Sequence, residues 1–166
     1  MTRRTIWIAV LCCPVVAGCG KEARTVDLKD TTLAGLDEFV AKQKGKVVLI
    51  DCWATTCVPC VKLFPHTVAL HEKYEKDGLV VVTLSTDPDD YRAKALKFLK
   101  EKNATCVNFF LADPKPAKDL DEKYPTEALP AIVLFDRAGK RVKALTYSDV
   151  DEKAVDEAVE KLLAGK

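Results

Sequence analysis

The chain has 166 residues, enough for one domain with a sizeable core. Charged residues make up 31% and hydrophobic ones 48%, an ordinary globular balance. The formal net charge is +1, and without Arg3 and Arg4 the remaining 24 basic residues face 25 acidic ones, which excludes a nucleic-acid partner held by bulk charge.

The first nineteen residues read as a targeting segment. Arg3 and Arg4 form a basic n-region, and Ile6 to Val16 is an apolar stretch of eleven residues. Eleven is too few to span a bilayer, which needs ~20, but it suits the h-region of a signal peptide. Val16-Ala17-Gly18-Cys19 closes the segment with small residues where cleavage belongs, and it resembles the lipobox of bacterial lipoproteins. That resemblance implies that Cys19 becomes the first mature residue and carries lipid. The alternative is an ordinary signal peptide that contains Cys19. Residues 20–25 read as a polar tether, and residues 26–166 as the domain.

Leu33, Leu36, Phe39 and Val40 sit at helical spacing, with Thr31 or Thr32 as a possible N-cap. Lys46 to Cys52 is apolar on both faces, as a central strand covered by helices should be. A helix carrying Leu63, Phe64, Val68, Leu70 and Tyr74 runs from Val61 to Lys76, with Pro65 inside it. His66 and His71 fit exposed positions of this helix better than a ligand set. Gly78 ends it, and Leu79 to Ser85 forms the next buried strand. Asp87-Pro88 opens a helix with Tyr91, Ala95, Phe98 and Leu99. Val107 to Leu111 reads as a strand and Ala117 to Tyr124 as a short helix. Ile132 to Phe135, a turn at Asp136 to Gly139 and Arg141 to Leu145 make a hairpin. An amphipathic helix from Val150 to Leu163 follows. Strands alternating with helices imply βαβ units and a mainly parallel α/β sheet.

The chemistry is concentrated between the first long strand and its helix, in Asp51-Cys52-Trp53-Ala54-Thr55-Thr56-Cys57-Val58-Pro59-Cys60. Strand, turn, then helix is the setting in which C-x-x-C reads as a redox pair. With Cys57 at the helix N-cap, Cys60 lies one turn on along the same face. The free N–H groups of the first turn and the helix dipole favour a thiolate at Cys57, the attacking species in thiol–disulfide exchange. Pro59 lacks an N–H, which costs nothing in a first turn. A zinc ribbon requires a second C-x-x-C, which is absent. His66 lies ~9 Å along the axis from Cys60, too far to share one tetrahedral ion. A purely structural disulfide over so short a loop stabilises little. Cys12 and Cys13 leave with the signal, and Cys52 and Cys106 read as buried thiols packing as small hydrophobes.

Trp53-Ala54-x-x-Cys57-x-Pro59-Cys60 resembles the active site of the thioredoxin superfamily. The preceding run, Gly45 to Asp51, is similar to its envelope-anchored TlpA/ResA branch. The resemblance covers most of Val26 to Lys166. It implies a thioredoxin fold with an extra αβ insertion between the second βα unit and a cis-proline strand, matching the extra elements between Ser85 and Pro130. Leu129-Pro130 stands where the superfamily has that cis-proline, and a free backbone amide and carbonyl at Leu129 could pair with an extended substrate segment. Trp53, Val58, Pro59, Leu129 and Pro130 are thereby candidates for holding substrate. Asp51, six residues before Cys57, matches the buried acid of cytosolic thioredoxins. A carboxyl buried there should have a raised pKa and could accept the proton of Cys60; alternatively it is a strand-end Asp hydrogen-bonded to a loop. Two departures stand out. Val80 to Ser85 has no Lys, which thioredoxins place beside the acid, and Thr56 stands where relatives often have a second Trp.

The leading expectation is a lipid-anchored thiol–disulfide oxidoreductase of the bacterial envelope, acting as a monomer without cofactor or metal. The resemblance implies reduction of disulfide-bearing envelope proteins, such as apocytochromes before haem attachment, and re-reduction by a membrane electron-donor thiol protein. One rival is a thiol peroxidase, but peroxiredoxins carry a Thr three residues before the reactive Cys, where this chain has Ala54 before Cys57. The other is a non-enzymatic copper or metal carrier using Cys57 and Cys60 as soft ligands.

Overall fold

Val47–Trp53 is buried at all seven residues, as a strand must be when helices cover both its faces. The computed structural model describes residues 24–112 and 122–165, and this strand lies inside its six-stranded sheet. In chain order the elements are Lys29–Thr31 (β1), Leu33–Ala41 (α1), Val47–Trp53 (β2), Val58–Tyr74 (α2), Leu79–Ser85 (β3), Arg92–Glu101 (α3), Val107–Leu111 (β4), Ala131–Phe135 (β5), Arg141–Thr146 (β6) and Glu152–Ala164 (α4). The strand order is β1-β4-β3-β2-β5-β6. The pairs from β1 to β2 are parallel, and β2–β5 and β5–β6 are antiparallel.

Alternation along β2 divides the core. Val48, Ile50 and Cys52 pack with Leu33, Leu36 and Val40 of α1 and with Tyr124. Val47 and Leu49 face the other way, onto Leu70 of α2 and onto Val155 and Val159 of α4. Trp53 continues that second face with Cys60, Phe64 and Val68 of α2 and with Ala95 and Leu99 of α3. Local signals set the ends. The Thr32 hydroxyl accepts from the Gly35 amide at 3.0 Å, and the Asp151 carboxylate from that of Ala154 at 2.7 Å, caps worth about 1 kcal/mol each. Gly78, at φ 94°, supplies the left-handed turn into β3.

Several expectations are revised. β1 has no counterpart in the sequence reading: its three residues, Lys-Asp-Thr, show no apolar alternation. It exists because it pairs with β4, Lys29 against Phe109, while Arg92 donates to the Leu28 carbonyl at 2.7 Å and to Asp30 at 2.8 Å. His66 and His71 are half-buried rather than exposed, paired with Asp156 at 3.0 Å and Glu75 at 3.3 Å. The helix expected over Ala117 to Tyr124 falls mostly outside the described residues. Cys52 and Cys106 are free thiols packed on opposite faces of the sheet. Burial raises both, Cys106 to about 12, so neither forms a thiolate near neutrality.

Candidate active site

The parallel run β2–β3 ends on one edge of the sheet, with Trp53 opposite Ser85, and β5 begins beside it, with Ala131 opposite Cys52. Every candidate redox residue converges there because strand ends and helix starts meet at that edge. Cys57 is the N-cap of α2, and its Sγ accepts from the Cys60 amide at 3.3 Å. The two cysteines are joined by a disulfide with Cα atoms 5.3 Å apart. Their exposure differs: Cys60 is 1% exposed, whereas Cys57 is half-buried. Val58, 64% exposed, and Pro59 project from the same turn.

Leu129–Pro130 is a cis peptide on the adjoining loop. Leu129 packs against the same cluster as Cys57 and Cys60. Among the described residues, no hydrogen bond engages its amide or carbonyl. The Pro130 carbonyl accepts from the Tyr147 amide at 3.0 Å. Tyr147 is exposed and has a left-handed backbone, φ 51°, unusual for a bulky residue.

Asp51 is 2% exposed on β2, and its Oδ2 accepts from the Thr67 hydroxyl at 2.7 Å. Burial pushes its carboxyl up to about 7, and the Thr67 bond only partly opposes that. Thr67 lies two turns beyond Cys60 on the inner stripe of α2, ~10 Å along the axis. Among the described residues Thr67 is the side chain hydrogen-bonded to the acid, and neither cysteine bonds it directly.

Trp53 requires correction as a substrate-holding candidate. It is fully buried, its ring centroid 4.9 Å from those of both Phe64 and Phe98. It forms the floor under the sulfurs because β2 alternation turns it inward. Pro130 is likewise buried, leaving Val58, Pro59 and Leu129 at the surface.

Four polar residues of the site escaped sequence reading. Thr67 had one signal, a hydroxyl on an otherwise apolar helix stripe. Asp87, read only as a helix opener, is 3% exposed and accepts from the Thr55 amide at 2.9 and 3.0 Å. It also accepts from the Thr55 hydroxyl at 2.7 Å and the Ser85 hydroxyl at 2.9 Å. The Thr55 contacts join residues 32 apart in the chain and have no local signature.

Comparisons with known proteins agree with this geometry. The family model described as Redoxin matches residues 19–162. The thiol-disulfide oxidoreductase ResA of Bacillus cereus (strain ZK / E33L) is 30% identical over 134 residues, 81% of this chain and 73% of that protein. The protein DipZ of Mycobacterium bovis is 30% identical over 126 residues, 72% of this chain but 17% of that protein. A solved structure from Chlorobium tepidum, described as a thiol:disulfide interchange protein DsbE, superposes with a TM-score of 0.62 at 29% identity. The match covers 75% of this chain and 84% of that one.

Proposed function

The chain belongs to the redoxin family and is a thiol–disulfide oxidoreductase, and from that premise we propose that it reduces disulfides of exported proteins while tied to the bacterial envelope by lipid on Cys19. The observation that carries the reading is the unequal exposure of the two sulfurs at one helix N-terminus. In the reduced protein Cys57 is the reachable thiol, and the first-turn amides and helix dipole favour its thiolate.

Cys57 attacks a partner disulfide. The partner S–S bond breaks, a Cys57–partner disulfide forms, and the other partner sulfur leaves as a thiolate that takes up a proton. Cys60 then loses its proton and attacks the Cys57 sulfur. The Cys57–Cys60 bond forms, the second partner thiolate leaves, and two electrons have passed to the partner. Asp51 is the acceptor for the Cys60 proton: a carboxyl titrating near 7 is suited to that exchange at neutral pH. The open amide and carbonyl of Leu129 pair with the partner segment as an added strand, and Val58 and Pro59 contact it across the sulfurs.

A membrane thiol protein restores the dithiol, and apocytochromes awaiting haem are candidate substrates. Among the described residues no helix is long and apolar enough to cross a membrane, so a lipid at Cys19 would supply the attachment.

Cys60→Ser should accumulate mixed disulfides with envelope proteins, whereas Cys57→Ser should accumulate none. Equal trapping by both variants refutes the assignment of roles. The reduction potential of the pair decides direction. A value near thioredoxin's, about −270 mV, supports a reductase, and one near about −120 mV makes the protein an oxidant.

A further inference from the structure

Three residues, Ala54, Thr55 and Thr56, separate the end of β2 from the capping Cys57. Backbone bonds fix the two ends of this loop: Thr86 donates to the Trp53 carbonyl at 2.8 Å, and Cys57 to that of Ala54 at 3.1 Å. Its middle is held from outside. Among the described residues, Asp87 is the one side chain hydrogen-bonded to residues 54–56, and it takes both the amide and the hydroxyl of Thr55. A buried carboxylate is costly unless donors surround it. Here Thr55 and Ser85 provide them, and Ser85 belongs to the strand paired with β2.

We propose that Asp87 is a positioning residue for the attacking thiol. By pinning Thr55 to the end of β3 it keeps Cys57 in its extended capping conformation, φ −84° and ψ 97°, with the sulfur over the Cys60 amide. In the oxidised protein the disulfide itself restrains the two cysteines. Once the pair is reduced that restraint is gone, and the loop alone keeps the Cys57 thiolate on the helix N-terminus. The charge of Asp87 works against the thiolate while its hydrogen bonds work for it. Two neutral replacements separate these effects: Asn retains an acceptor for Thr55, and Ala does not. The inference rests on Cys57 being the attacking thiol.

The experiment is alkylation of the fully reduced protein by iodoacetamide at neutral pH, with the modified cysteine identified by peptide mapping. Asp87→Ala should react at Cys57 about threefold more slowly than Asp87→Asn. A thiolate fraction about tenfold smaller is partly offset by the greater nucleophilicity of a more basic sulfur. Val155→Ala, a core truncation in α4 away from the loop, should lower the melting temperature and leave the Cys57 rate at wild type. Equal Cys57 rates in the Ala and Asn variants overturn the proposal and make Asp87 structural. If Asp87→Ala does not fold, Thr55→Val keeps the charge and removes the hydroxyl donor. Slower alkylation than wild type then supports the proposal, and an unchanged rate overturns it. Preferential alkylation of Cys60 in the wild type would instead refute the order of attack given above, while the Ala–Asn comparison at Cys57 still reads out the positioning.

Discussion

Asp51→Asn exchanges one carboxyl oxygen for an NH2 group and keeps an acceptor for the Thr67 hydroxyl, now at 2.7 Å. Burial raises the Asp51 carboxyl from 3.8 to about 7, so the folded state holds this proton more tightly than the unfolded chain does. The favourable contribution is complete below about pH 4, shrinks as pH rises, and is lost through pH 7. Above both values the buried charge costs on the order of 4 kcal/mol, and at pH 5 less than half of that. Asn carries no such penalty at any pH. The variant's advantage should therefore grow by roughly 2–3 kcal/mol between pH 5 and pH 9, or about 5–10 °C in Tm for a domain of this size. Thermal unfolding of oxidised wild type and variant at both pH values measures it, and contributions from other titrating groups cancel in the difference. A gap that stays constant with pH refutes a carboxyl held protonated by burial. In the reduced enzyme the same variant should slow disulfide reduction at least tenfold through loss of a general base. A pH–rate profile unchanged between about pH 6 and 9, a range bracketing an ordinary thiol, would make Asp51 structural.

Cys19→Ala should move the protein from the membrane fraction to the aqueous envelope fraction, or leave the signal uncleaved. A wild-type mature protein that begins elsewhere and partitions to water would remove the lipid anchor from the reading. Phe64→Ala empties a fully buried site between Trp53 and Phe98, with all three ring centroids 4.9 Å apart. It should cost about 3–5 kcal/mol by denaturant titration, and a loss below about 1 kcal/mol would show that the floor of the site collapses freely around the gap.

The sequence by itself determined the periodic elements and the dithiol. β3 and β4 have the bounds read from Leu79 to Ser85 and Val107 to Leu111, because short, mainly apolar runs between turn residues admit few alternatives. Cys57 at the N-cap and the left-handed Gly78 follow from local chemistry acting within three or four residues. Tertiary structure decided what depends on distant partners. β1 is a strand through its pairing with β4, which its own three residues do not announce. Trp53 faces inward because β2 lies between two helical layers, and His66 and His71 lose exposure to the acids that α4 and the residue capping the end of α2 bring to them. Asp87 and Thr67 became part of the site only when β3 and α2 were laid against β2. A hydrogen bond spanning 32 or 16 residues leaves no period and no spacing in the chain, since its geometry exists only after the hydrophobic faces have packed.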